Sequence, residues 1–204
     1  MNAAIIALVG VSALPPNNAS TPPVNKAVQD GEIQVPSEPK ILETAGDEVL
    51  QPDGARARWA SVTYVLHGGY QAEAFVEIDE HGRGDALIYV DGEALMHVTV
   101  DDHGATKTWM APNIDLPPEA LAQLMTTGVA TEIAARIIYE PLSFPCSDYG
   151  KKVVKVAKHI WGTMIAASSA ACCLASSGAG CLLCGGAGWN VAELSSEAFD
   201  DYCQ

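Results

Sequence analysis

Apolar and polar positions alternate along much of the chain's middle. Phe75, Glu77 and Asp79 alternate with Val76 and Ile78, and His97 and Thr99 alternate with Val98 and Val100. A period of two places one set on each face of a β-strand. Short runs rich in β-branched and aromatic residues cover 58–67, 71–80, 85–90, 93–100 and 105–110. Glycine-bearing turns separate them: His67-Gly68-Gly69, His81-Gly82-Arg83-Gly84, Asp91-Gly92 and His103-Gly104. The expected architecture is an antiparallel meander of four or five strands, with Asp91-Gly92 as a two-residue hairpin.

A repeat reinforces the meander. Val76-Glu77-Ile78-Asp79-Glu80-His81-Gly82 returns 22 residues later as Val98-Thr99-Val100-Asp101-Asp102-His103-Gly104. Asp79, His81, Asp101 and His103 carry chemistry suited to a metal or acid–base site. The plainer account is a turn in which Asp opens the bend and Gly takes the left-handed position. The turn is the favoured expectation, because Asp and His at a hairpin tip ordinarily face water.

Beyond the strands, Pro117-Pro118-Glu119 opens a helix with Asp115 as candidate N-cap and Leu116, Leu121, Leu124 and Met125 as its inner face. Gly128 punctuates it. A second helix is expected over 129–139, with Ile133, Ile137 and Ile138 as the buried stripe. Two helices on one sheet face make a small α+β domain of residues 56–142. It contains no His-Glu-x-x-His, Gly-x-Ser-x-Gly or phosphate-binding loop. No catalytic residue, cofactor or metal site is therefore assigned, and a non-enzymatic role is expected.

The pattern changes near Asp148. Lys151, Lys152, Lys155 and Lys158 fall on one side of a helix, and Val153, Val156, Ile160 and Met164 on another. No charged residue follows from Ile160 to Ala192, where Ala, Ser, Gly and Cys dominate. Ser176-Ser177-Gly178-Ala179-Gly180 marks a break, so residues 146–204 are expected to fold back as a helical hairpin.

All six cysteines, Cys146, Cys172, Cys173, Cys181, Cys184 and Cys203, lie in this last segment. A hairpin folded near residue 178 sets Cys172 opposite Cys184 and Cys173 near Cys181, with Cys146 and Cys203 at the open ends. Six cysteines allow fifteen connectivities, and this is one of them. Disulfide clamps are the expectation, each contributing about 2–4 kcal/mol to a segment with a small-residue core. A zinc site built on Cys181 and Cys184 is the first rival, and a thioredoxin-like redox pair the second. Adjacent cysteines splay by roughly 100° on a helix, which suits zinc poorly. An uncharged, glycine-rich Cys-x-x-Cys does not match the strand-to-helix setting of redox motifs.

Charge is as uneven as the cysteines. Residues 1–145 hold 20 acids and 7 bases, a net of 7 − 20 = −13, whereas residues 146–204 hold 5 acids and 4 bases, a net of −1. A chain of net charge −14 is repelled by phosphate backbones, so nucleic acid is excluded as a partner. Residues 1–19 read as a signal peptide with an apolar run over 3–14, although no Lys or Arg precedes Lys26. Residues 20–55, punctuated by proline, read as a disordered acidic linker, with a short helical turn over 41–50. A secreted or extracytoplasmic location follows from these expectations together with the disulfides.

An acidic N-terminal portion followed by Cys146, Cys172-Cys173, Cys181-Leu-Leu-Cys184 and Cys203, within the low-charge run 160–192, resembles precursors of the halocin C8-type bacteriocins. The resemblance covers about 59 of 204 residues. It implies an exported precursor that yields a disulfide-rich antimicrobial peptide, with the N-terminal part as immunity partner. Lys151, Lys152, Lys155 and Lys158 are then candidate contacts to a target-cell membrane or partner. The plainer alternative is a solvated lysine face on a hairpin that packs against its own N-terminal domain. The other function to weigh is a non-enzymatic secreted or envelope protein that uses the hairpin as an interaction module.

Overall fold

Alternation along the chain becomes two unlike faces of one sheet. The computed structural model describes residues 37–139 and 148–175. Six strands pair antiparallel in chain order: β1 (Lys40–Leu50), β2 (Arg56–Val65), β3 (Gln71–Asp79), β4 (Gly84–Val90), β5 (Glu93–Val100) and β6 (Thr106–Met110). Three α-helices follow among the described residues, α1 (Pro118–Ala122), α2 (Thr127–Ala134) and α3 (Asp148–Ala175), with a π-helical turn at Ala135–Tyr139. The class is α+β, with an antiparallel meander as expected.

One face of the sheet is covered. Ala60, Val62, Tyr64, Ala74, Val76, Ile78, Ala86, Ile88 and Val98 point into it and are almost wholly buried. Several are alanines, and a short side chain lets a helix approach the strands closely. Helix α3 lies across β3, β4 and β5, while α2 and the π-helical turn cover β1 and β2. The tightest approach is at Gly84, where a Cβ would collide with Ile160 Cδ1 and stand 2.8 Å from Val156 Cγ1. Gly84 is the notch into which α3 seats.

Buried polar groups tie the helices to the sheet. Tyr64 donates to the Leu124 carbonyl at 2.6 Å beneath α1, and burial pushes its phenol pKa well up. Arg58, 1% exposed, donates from Nη1 to the Ile137 carbonyl at 2.7 Å and meets Glu48 of β1 at 3.4 Å. The guanidinium thus satisfies a carbonyl in the π-helical turn, where the regular helical bonding pattern is interrupted. Glu38 accepts from the Gly128 amide at 3.1 Å, at the start of α2, and Gln123 holds the Ser37 carbonyl at 2.8 Å.

Three expectations change. Over 40–50 a strand, β1, replaces the expected disorder and helical turn, while residues 20–36 of the linker and the expected signal peptide over 1–19 lie outside the described residues. Its register with β2 runs from Lys40 opposite Val65 to Leu50 opposite Arg56, so pairing with a neighbour orders residues whose own composition would not. The first helix is capped by Pro117 rather than Asp115, and Gly128 lies inside α2 rather than ending a helix. The third change concerns the boundary between 56–142 and 146–204. Val153, Ile160, Trp161, Met164 and Cys172 of α3 belong to the same buried cluster as the strands, so the helix beginning at Asp148 completes the core of the sheet unit. The break at 176–180 and the returning arm of the hairpin lie outside the described residues.

Candidate functional site

Helix α3 places the residues singled out in the C-terminal segment. At 100° per residue, Val153, Ile160, Met164 and Trp161 fall in one arc and are buried, with Trp161 only 2% exposed. Lys151, Lys152 and Lys155 lie in the opposite arc and are exposed, while Lys158 is half-buried. The four lysines therefore ride on the solvent side of a helix whose apolar side is already occupied by the sheet. His159 adds a polar tie, its Nε2 lying 2.6 Å from Thr106 Oγ1 on β6.

The cysteines are partly placed. Cys172 is 1% exposed and its Sγ lies 3.6 Å from the Pro118 carbonyl oxygen at the start of α1. Cys173 is half-buried against the same core. Both are half-cystines, and the described residues do not define their pairing. Cys146, Cys181, Cys184 and Cys203 lie outside the described residues.

The repeated Asp-x-His-Gly segments form matching hairpin turns. Asp79 Oδ1 accepts from the His81 and Arg83 amides at 2.9 and 2.8 Å, and Asp101 Oδ1 accepts from the His103 and Ala105 amides at 3.0 and 2.8 Å. Gly82 and Gly104 follow at φ 87° and 82°, donating back to the Asp79 and Asp101 carbonyls. This is the three-residue loop closed by a left-handed glycine. The turns at Gln51–Ala55 and Leu66–Tyr70 repeat the same backbone bonds. Asp79 and Asp101 are thus occupied in holding turns, and the His103 side chain is 88% exposed. Among the described residues, no group of three or more His, Cys, Asp or Glu side chains is placed to share a metal ion.

Two features were not read from the sequence. The first is an open groove of about 510 Å³ at one end of the uncovered sheet face, lined by Glu77, Asp79, Arg83, Asp85, Asp101 and Lys107 among others. Glu77 and Asp85 are direct cross-strand neighbours, an unfavourable like-charge pair. Each is offset by another contact: Gln51 Nε2 donates to Glu77 at 2.8 Å, and His97 Nε2 lies 2.6 Å from Asp85. Arg83 bridges Asp79 to Asp53, and both bonds raise its pKa. The Ala55 amide and the Arg83 guanidinium hold the Asp53 carboxyl below its ordinary range.

The second feature is the aromatic surface beside that groove. Trp59 stacks on Phe75 with centroids 6.1 Å apart and planes at 22°. The register places Phe75, Leu87, His97 and Trp109 in one row across four strands. Cross-strand register is a tertiary property, and only the single-strand alternation hinted at it.

Among the described residues, fold and surface together define a six-stranded meander covered by helices on one face and polar and aromatic on the other. No protein-family model, curated protein or solved structure matches the chain. Among the described residues, no helix is long and apolar enough to cross a membrane.

Proposed function

We propose that the chain is an exported precursor of a cysteine-rich, disulfide-stabilised, bacteriocin-like peptide. Its acidic sheet unit masks that peptide and confers immunity to it. The observation that supports the reading is the seat of α3: the apolar arc a membrane-active helix would use, Val153, Ile160, Trp161 and Met164, is buried against the sheet. A masked helix offers only its lysine side, and exposed lysines alone bind a bilayer weakly without an apolar face to insert. Release would require cutting between the π-helical turn and α3, followed by separation of α3 from the sheet. The stapled hairpin with three bridges, including Cys172 to Cys184 and Cys173 to Cys181, belongs to this proposal.

A second reading rests on the same contact. Because α3 completes the sheet's core, the uncut chain is a coherent unit and can act as a non-enzymatic secreted or envelope protein. Intact mass of the secreted product, with and without reduction, separates the two. The precursor account expects a fragment starting near Cys146, carrying three bridges and inhibiting growth of a susceptible strain. Recovery of the full mature chain alone, with no inhibitory fragment, would remove it in favour of the second.

A further inference from the structure

The exposed large apolar side chains of the described residues sit on the sheet's two edge strands. Leu42 (49%), Val49 (37%) and Leu50 (75%) are on β1, and Trp109 (46%) is on β6. β1 is also the longest strand, eleven residues, and it pairs only with β2. Its outer side therefore presents a row of backbone donors and acceptors with no strand partner among the described residues. Such an edge is a template for strand addition unless it is short, bulged or charged. A bulge between Ile41 and Glu43 interrupts one end. From Glu43 opposite Thr63 to Leu50 opposite Arg56 the register is regular, which leaves eight residues of flat edge.

Charge decides what fits there. β1 carries Glu43, Asp47 and Glu48 against Lys40. Glu48 meets Arg58 on the helix-covered side. Glu43 and Asp47 share the uncovered face with their register partners Thr63 and Trp59; Asp47 Oδ1 accepts from the Glu48 amide at 2.7 Å, and no ion pair of the described residues includes either carboxylate. A second copy pairing antiparallel with full overlap, Lys40 opposite Leu50, would set Glu43 opposite Asp47 twice. A parallel copy in register would set each acid beside itself. Like charges directly opposite are destabilising, so these two full-overlap registers are disfavoured for its own copy, and a cation-bearing strand fits the same positions better.

We propose that residues 43–50 of β1 form a docking edge for an extended, basic segment of another protein, which adds as a seventh strand. Its cations fall on the uncovered face, opposite Glu43 and Asp47, and its apolar residues lie on the other face, beside Leu50. Main-chain bonds supply affinity, and the two carboxylates supply polarity and register.

The test uses the full-length chain and two synthetic nine-residue peptides, one alternating lysine with valine and one alternating glutamate with valine. At a free concentration tenfold above its Kd, the lysine peptide should slow hydrogen exchange at β1 amides by roughly tenfold, and the glutamate peptide should not. The double variant Glu43→Gln/Asp47→Asn should weaken binding by about tenfold. Asp102→Asn/Asp115→Asn removes the same charge from other exposed positions and should leave the affinity within about twofold. Melting curves of both variants confirm that each is folded. Unchanged exchange in β1, or equal weakening by the two double variants, would overturn the proposal. Concentration-dependent protection of β1 without any peptide would assign the edge to a second copy instead.

Discussion

Leu87 and Ile88 are neighbours on β4, yet they belong to different environments. Ile88 faces the helices and is fully buried; Leu87 faces the open side, in a row with Phe75, His97 and Trp109. The covered face is made mainly of alanine, valine and isoleucine beneath α2, the π-helical turn and α3. The uncovered face mixes aromatic rings with carboxylates held by short hydrogen bonds. Stability is thus concentrated on one side of a single layer, which leaves the other side freer to vary. It also follows that α3, although it begins the cysteine-rich segment, is needed by the sheet.

The contrast can be broken most severely at the contact between α3 and the sheet. Ile160→Ala should cost about 2–5 kcal/mol, because a fully buried side chain is lost and a cavity remains. Ile88→Ala should fall in the same range, whereas Leu87→Ala should cost roughly 1 kcal/mol for the partial burial of the same groups. Chemical denaturation of the three variants checks the ordering; equal losses at Leu87 and Ile88 would erase the distinction between the faces.

Gly84 sharpens the same point. Its added methyl in Gly84→Ala would strike Ile160 and Val156, and overpacking of this kind costs about 1–3 kcal/mol. Since Ile160 Cδ1 is the nearest atom, Ile160→Val in the Gly84→Ala background should recover part of the loss, a coupling visible in a double-mutant cycle. Arg58→Met should cost about 1–3 kcal/mol by leaving the Ile137 carbonyl without its buried donor.

The smallest expected effect is that of pH at the turns. The Ala55 amide and Arg83 hold Asp53 low, and the Arg56 amide and guanidinium hold Glu80 low. A depressed carboxyl stabilises the fold above its unfolded pKa and loses that contribution as pH falls through its folded value. Acid titration of stability should therefore show a shallow decline below the ordinary carboxylate range. Asp53→Asn should flatten it further, as seen in denaturation midpoints at several pH values.

Strands β2 to β5 were legible because each buries one face, and β6 because half-buried and exposed residues alternate along it, so local alternation and tertiary environment agree. The turns were legible through Asp and Gly, whose roles are set within five residues. β1 was not: Lys-Ile-Leu-Glu-Thr-Ala-Gly-Asp-Glu-Val-Leu lacks clean alternation. β1 buries little, and Gly46 is demanded by the Arg136 side chain and the Trp59 carbonyl oxygen packed against it. The helix from Asp148 was visible in its periodicity, including the side on which its lysines lie. Its membership of the sheet's core was hidden, because the abrupt change in charge and cysteine content suggested a separate unit. Composition reports what a segment is made of; the partner of its apolar arc is fixed only by packing. The pairing of Asp85 with His97 was hidden for the same reason, since twelve residues of sequence separate groups that register brings together.

The central claim is that the sheet unit holds the first helix of the cysteine-rich segment. A specific protease site inserted after Leu142 in the full-length chain tests it directly, because cleavage leaves every cysteine on the C-terminal side. After cutting, the two pieces should co-elute in size-exclusion chromatography under native conditions and separate only in denaturant. Native separation into two pieces, with the sheet's thermal transition unchanged, would contradict the account.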